Sequence, residues 1–299
     1  MIVNAHTHLE LGGFAHLLPP PAGASFVPWI YELIAARRAI AKEGTRPYQQ
    51  AVEAGVETLR ATGTTVVGDI SATGVSVEPL LASGLSGVVY LEVLGTDAAA
   101  LSRLRETQTK IESYRRRENQ MRVGLTVHAP YSCDPELFRQ GAAWCAAEGV
   151  PLCIHLAESP AENEFLRRGT GAVRDFERKM NLPPLPSPLC SPVQYLEDLG
   201  VLAAKPLLVH CVHVDDDDIQ RLARSGSTVV HCPRSNQRLQ CGRMPLENFL
   251  AANIPVCLGT DSLASSPSLD VREEAEAAIE LHAGLVPPET IGSLLTSNF

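Results

Sequence analysis

The residues of this chain that can do chemistry begin with His6 and His8, which follow the lead Met1-Ile2-Val3-Asn4-Ala5. Residues i and i+2 of a strand point to one face, so a strand here presents two imidazoles ~6–7 Å apart on one side. That is a common start to a divalent-metal site. Other apolar runs end in the same residue types: at His128, His155, His210, His231 and Asp261. Six of the nine histidines stand at such ends. Packing is a poor explanation, because a buried imidazole must find hydrogen-bond partners.

The convergent set His6, His8, His155 and Asp261 offers imidazoles and one carboxylate, which suits zinc and also iron(II) or manganese. Glu158, three residues after His155, is placed to reach a substrate over such a metal, and it moves protons if burial raises its pKa. The competing reading is a surface glutamate opening a helix. His210 is either a fifth ligand or a hydrogen-bond partner of the water on the metal. His128 can donate to a substrate, and His231 does the same or is a satisfied structural residue. His213, three after His210, should point into the loop, and His16 and His282 read as structural or exposed.

The elements that must position these groups alternate regularly. Strands are expected at the N-terminus up to His8 and at 64–70, 87–93, 122–129, 152–156, 207–210, 228–231 and 255–261, where the apolar runs are short and β-branched. Helical patterns separate them, at 26–42, 47–61, 77–83, 98–117, 134–148, 162–168, 172–180, 215–225, 245–252, 270–282 and from 288 onward. Asp134 is placed to cap one helix and Gly149 to end it, and Asp270 with Glu273 resembles a capping box. The stretches around Gly12, Gly13 and Pro19–Pro21, and from Pro183 to Pro192, read as irregular loop. Continuous apolar strands alternating with helices imply a parallel sheet covered on its other face. Eight such units in 299 residues fit a closed (β/α)8 barrel, an α/β fold that keeps its chemistry at the C-terminal strand ends.

Composition bounds the partners. The apolar fraction of 45% and charged fraction of 20% fit a globular protein, no apolar run approaches the ~20 residues of a membrane helix, and no basic-then-apolar leader is visible. A formal charge of −9 argues against nucleic acid. None of the eight cysteines forms a Cys-x-x-Cys pair, so they read as buried thiols of a reducing cytosol. Cys153 and Cys257 share parity with His155 and Asp261; Cys211 and Cys232 should face away from His210 and His231.

In order along the chain, His6-Thr-His8, His128-Ala-Pro-Tyr-Ser132, His155-Leu-Ala-Glu158, Val209-His-Cys211, His231-Cys-Pro-Arg-Ser-Asn236 and Gly259-Thr-Asp-Ser262 resemble the amidohydrolase superfamily in its mononuclear deaminase and chlorohydrolase branch. The phrases Asn4–Leu11, Phe26-Val-Pro-Trp29 and Thr260–Asp270 look most like aminofutalosine deaminases, which serve menaquinone biosynthesis, with methylthioadenosine/S-adenosylhomocysteine deaminases as relatives. The resemblance implies His6, His8, His155 and Asp261 as ligands of one divalent metal, zinc first and iron(II) or manganese as alternatives. It implies Glu158 as proton shuttle, His210 as the histidine orienting water, and His128 as a substrate contact. It also implies a small β-sandwich built from segments flanking the barrel. Residues 1–299 begin at the first strand and leave no room for it, so the chain is expected to be the barrel domain alone, shortened at both ends.

The resulting expectation is a cytoplasmic hydrolytic deaminase of an adenine nucleoside derivative, aminofutalosine before methylthioadenosine, S-adenosylhomocysteine, guanine or a chlorinated triazine. Asp261 and His210 would orient water and take its proton while Glu158 protonates the ring. Arg234 and Arg238, on the loop after strand seven, are candidates for the carboxylate of aminofutalosine. The small purine nucleoside is the expected partner, without nucleic acid or membrane, and a homodimer is the assembly considered. A barrel without catalysis, binding metal or partners, is the reading from another class.

Overall fold

In a computed structural model, which describes residues 1–18, 25–297 and 299, eight parallel strands pair in chain order: β1 (Val3–Thr7), β2 (Val66–Ser71), β3 (Ser86–Val93), β4 (Met121–Val127), β5 (Leu152–Leu156), β6 (Leu207–His210), β7 (Thr228–His231) and β8 (Val256–Leu258). A parallel bridge between Thr7 and Asp261, with the Asp261 amide donating to the His6 carbonyl at 3.0 Å, joins the last strand to the first. The expected (β/α)8 barrel is therefore the observed fold. The region Pro19–Pro21, expected as loop, lies outside the described residues.

Helices α1 (Phe26–Ile40), α2 (Arg46–Ala61), α3 (Val77–Ala82), α4 (Ala100–Tyr114), α5 (Pro135–Glu148), α6 (Pro160–Arg168) and α7 (Ala172–Lys179) fall where the periodicity predicts them. So do α9 (Asp216–Ser225), α11 (Leu246–Ala251), α12 (Val271–Leu281) and α13 (Pro288–Ser293). The helix α8 (Pro192–Asp198) follows the Pro-rich loop as expected, and one short helix was not expected, α10 (Pro233–Arg238); each opens with proline in its first turn, where the missing N–H costs nothing. The segment after β1 is a 3-10 run, Leu9–Leu17, rather than irregular loop. Asp134 caps α5 by accepting from the Glu136 amide, and Gly149 ends it at φ 64°. Asp270 accepts from the Arg272 amide, but Glu273 does not complete a capping box; its carboxylate is held by Ser268 and Arg234.

Two apolar cores follow from strand alternation. An outer core packs the helices on the sheet, and an inner one, including Val3, Ala5, Val66, Val88, Tyr90, Cys153, Val209, Val230 and Cys257, fills the barrel. The interior is packed, so a site has room only above it, at the strand ends. All eight cysteines are free thiols. Among the described residues no helix is long and apolar enough to cross a membrane.

Candidate active site

Strand alternation alone does not bring the histidines inward. Val3 and Ala5 face the barrel interior, and strict alternation would turn His6 and His8 away from it. The β1–β2 register shifts between Asn4 and Thr7, which pair with Val67 and Asp69. This irregularity puts one extra residue into β1 and reverses the alternation, so that His6 and His8 join the interior side. Thr7 turns the other way, its hydroxyl 2.9 Å from Asp69 Oδ1, and the same oxygen accepts from the Leu9 amide at 2.9 Å. Asp69 thus grips both neighbours of His8.

β6 solves the same problem differently. Val209 faces inward, so His210 should face outward, yet its φ of 78° swings the side chain back over the barrel mouth. Ala157, His210, Cys211 and Asp261 are four of nine non-glycine residues with positive φ among the described residues. They lie at the ends of β5, β6 and β8. Left-handed backbone at such residues is costly and collects at functional sites.

The result is a cluster. His8 Nε2 lies 3.2 Å from His155 Nε2, and Asp261 Oδ1 lies 3.7 Å from both His6 Nε2 and His8 Nε2. His6, His155 and His210 form one group of converging donors, and His6, His8 and Asp261 another. His210 Nε2 stands 3.5 Å from Glu158 Oε1. All are buried except His8, which is partly exposed. Burial holds the His8 and His155 rings well below the usual imidazole pKa, with the neighbouring His6 adding to the effect, and brings His210 down to about 3. Burial pushes the Asp261 carboxyl up, but the His6 contact and the rings of His8, His6 and His210 more than reverse it, so Asp261 is an anion. Burial, with the charges of Asp261 and Glu162, pushes Glu158 well above the usual carboxylate range.

These groups fit a divalent ion. His6 Nε2 is buried without a hydrogen-bond partner, an arrangement that is costly unless something else satisfies it. Donors bound at ~2.0–2.1 Å to one tetrahedral ion stand about 3.3 Å apart, close to the 3.2 and 3.7 Å separations here. The outer contacts point the donors inward: His155 Nδ1 donates to the His128 carbonyl at 3.2 Å, leaving Nε2 as a lone pair, and Asp261 Oδ2 accepts from Ser235 at 2.6 Å and Ser265 at 3.0 Å. The set is three imidazoles and one carboxylate.

His128 lines the same cavity. The Ser132 hydroxyl stands 2.6 Å from His128 Nδ1 and 3.1 Å from the Ala129 carbonyl, so it anchors the ring through Nδ1. The expectations for His231, Arg234 and Arg238 need correction. His231 follows inward-facing Val230 on a strand end without positive φ. It therefore stays outside the barrel, its Nε2 3.2 Å from His282 Nε2, while Cys232 faces in. His282 is fully buried, not exposed. Arg234 lies on helix α10, not a loop, and its guanidinium is held by Glu273 and Ser268, away from the cavity. Arg238 does not line the cavity either.

The sequence reading missed Ser235, Ser265 and Asn236, the last with its Nδ2 3.1 Å from His210 Nδ1. Ser235 and Asn236 stand in the His231–Asn236 phrase, and that was their signal. It also missed Ile30, Leu33 and Arg37, by which α1 covers the cavity together with Phe26 and Trp29; the Phe26–Trp29 phrase marked the start of this helix, but nothing in the sequence said that its face closes over the site.

The amidohydrolase family profile matches residues 2–295. The aminodeoxyfutalosine deaminase of Deinococcus radiodurans is 40% identical over 296 residues, spanning 95% of this chain and 68% of that protein. The chain thus spans about two thirds of that relative's length. The crystal structure of Helicobacter pylori aminofutalosine deaminase in complex with methylthio-coformycin superposes with a TM-score of 0.82 at 24% identity, covering 98% of this chain and 70% of that one. An adenosine deaminase from Xanthomonas campestris with bound zinc gives 0.74 at 21% identity, covering 99% and 62%. With a profile match along nearly its whole length and a barrel of this form, the chain belongs to the amidohydrolase family.

Proposed function

We propose that the chain is a metal-dependent hydrolytic deaminase acting on the ring amino group of an adenine nucleoside derivative, with aminodeoxyfutalosine as first candidate. The observation that carries this reading is the convergence of three imidazoles and the Asp261 carboxylate beside a buried Glu158 and His210, at the ends of β1, β5, β6 and β8. The identity to the Deinococcus radiodurans enzyme supports the substrate class.

His6, His8, His155 and Asp261 would hold one divalent ion, zinc first by donor type, which when bound supplies the Lewis acidity that makes water a nucleophile near neutral pH. The remaining work belongs to the chain. Asp261 keeps Oδ2 occupied with Ser235 and Ser265, so Oδ1 faces the imidazoles and accepts a proton from the attacking water. His210, with Asn236 at Nδ1, directs its Nε2–H into the cavity and orients that water. Glu158, buried and protonated, gives its proton to the ring nitrogen next to the carbon under attack, which makes that carbon electrophilic. As the new C–O bond forms, Glu158, now a carboxylate, takes the remaining water proton from the new hydroxyl and passes it to the amine, which leaves as ammonia when the C–N bond breaks; the proton held by Asp261 then returns to Glu158 and resets both groups. His128 contacts the substrate from the cavity wall.

The test is ammonia release by metal-quantified protein from aminodeoxyfutalosine, methylthioadenosine, S-adenosylhomocysteine, adenosine and guanine. Release from an adenine nucleoside supports the reading. Release from guanine alone, or from none of them, overturns it.

A further inference from the structure

Arg37 has no task in the chemistry above, yet it faces the same cavity. It is the one lysine or arginine among the residues that line it. Among the described residues no carboxylate lies within ion-pair distance of its guanidinium, whereas Arg234 and Arg243 are both paired. Two acids outside the reacting cluster share the cavity lining, Glu10 and Glu92, and neither is within ion-pair distance of Arg37; the Glu10 carboxylate accepts from Ser71, from the Thr73 hydroxyl at 3.0 Å and from the Thr73 amide at 3.1 Å. A half-buried cation without a counter-charge gives up hydration without an offset, and an anion from outside would supply one.

The face of α1 leads to it. Phe26, Ile30, Leu33 and Arg37 follow one another at helical spacings of four, three and four, and Trp29 lies beside them; all five line the cavity. From Trp29 to Arg37 is eight residues, about 12 Å along the axis. Trp29 Nε1 is buried without a partner. Tyr131 continues the aromatic wall, its ring 5.9 Å from Phe26 and 5.8 Å from His128. The cavity therefore has a reacting end at the imidazoles, an apolar and aromatic side, and a cationic end.

We propose that Arg37 binds a carboxylate on the substituent of the substrate remote from the reacting ring, with the α1 face covering the apolar stretch between. This rests on the deaminase reading, and it moves to Arg37 the role that the sequence assigned to Arg234 and Arg238. It makes α1 the element that selects anionic nucleosides over neutral ones.

The experiment compares kcat/KM of the metal-loaded chain for carboxylate-bearing nucleosides (aminodeoxyfutalosine and S-adenosylhomocysteine) with that for neutral methylthioadenosine, in wild type, Arg37→Gln and Arg37→Lys. The expected result is a fall of about 10–100-fold in the carboxylate-to-neutral ratio for Arg37→Gln, carried by KM, as losing a charged hydrogen bond implies. Arg37→Lys, which keeps the charge and loses the fork, should recover part of it. A ratio within about threefold of wild type in both variants overturns the proposal. If wild type deaminates none of these nucleosides, the deaminase reading has failed, and binding of benzoate by calorimetry decides on Arg37 separately. Wild-type binding that weakens about tenfold or more in Arg37→Gln supports the anion site; no binding, or binding equal in both proteins, overturns it.

Discussion

Asn236 Nδ2 stands 3.1 Å from His210 Nδ1, on the side of the ring away from the cavity. An amide that donates there leaves the His210 proton on Nε2, 3.5 Å from Glu158 Oε1. The ring is then a hydrogen-bond donor to the site and not a fifth ligand. Asn236→Asp would accept from Nδ1–H instead and strip the proton from Nε2. The expected outcome is a loss of about 10²–10³ in kcat, as for removal of one oriented donor, with metal content unchanged. Nitrogen NMR of the imidazoles reads the tautomer directly; a ring still protonated on Nε2 in Asn236→Asp contradicts this account.

Glu158→Gln should keep the metal and the fold and lose at least about 10²-fold in kcat, the usual worth of a positioned acid–base group. The variant keeps the side-chain shape and cannot shuttle a proton. Metal analysis and ammonia release on one sample check it, and full turnover would remove Glu158 from the proton path.

Gly259 is needed for space, where β8 passes β1. A Cβ there would stand 2.8 Å from His6 Cβ and 2.8 Å from Val230 Cγ1. Gly259→Ala should displace His6 and weaken metal binding about 10–100-fold, the range seen when a ligand's support is disturbed. Competition with a chelator measures it, and unchanged affinity would mean that the strand end yields without moving His6.

Much of this was legible in the sequence. Short β-branched runs alternating with helical periods gave all eight strands, because a parallel strand buried on both sides leaves a continuous apolar mark. Which way a strand-end side chain points was less legible. His210 and His231 both follow an inward valine, and only the positive φ of His210 sends the two rings to opposite sides. The irregularity in β1 is equally silent: His6 and His8 share a face either way, and the extra residue decides which. Arg234 and Arg37 illustrate a third limit. Whether an arginine is already paired depends on tertiary neighbours, Glu273 for Arg234 and, among the described residues, none for Arg37.

Glu274 provides a pH dependence away from the cluster. It is buried, and burial raises its carboxyl from 4.5 to about 8, against the opposing hydrogen bond from the Arg234 amide. Between those values the native chain holds a proton that the unfolded chain has released. Its contribution to stability is therefore fully present below about pH 4.5 and is lost as pH rises toward 8, by up to about 1.4 kcal/mol per pH unit. Glu274→Gln should flatten the fall. Denaturant unfolding at pH 5, 6, 7 and 8 compares the slopes, and identical slopes in both proteins would refute the assignment.

The most direct test of the central claim is a zinc titration of metal-stripped protein, with ammonia release from aminodeoxyfutalosine measured at each addition. The account predicts no release from the stripped chain, a rise in proportion to bound zinc, and a plateau at one ion per chain, with both the binding and the release lost in His155→Ala. Release by the stripped chain, or a zinc-loaded chain that releases nothing, would contradict it.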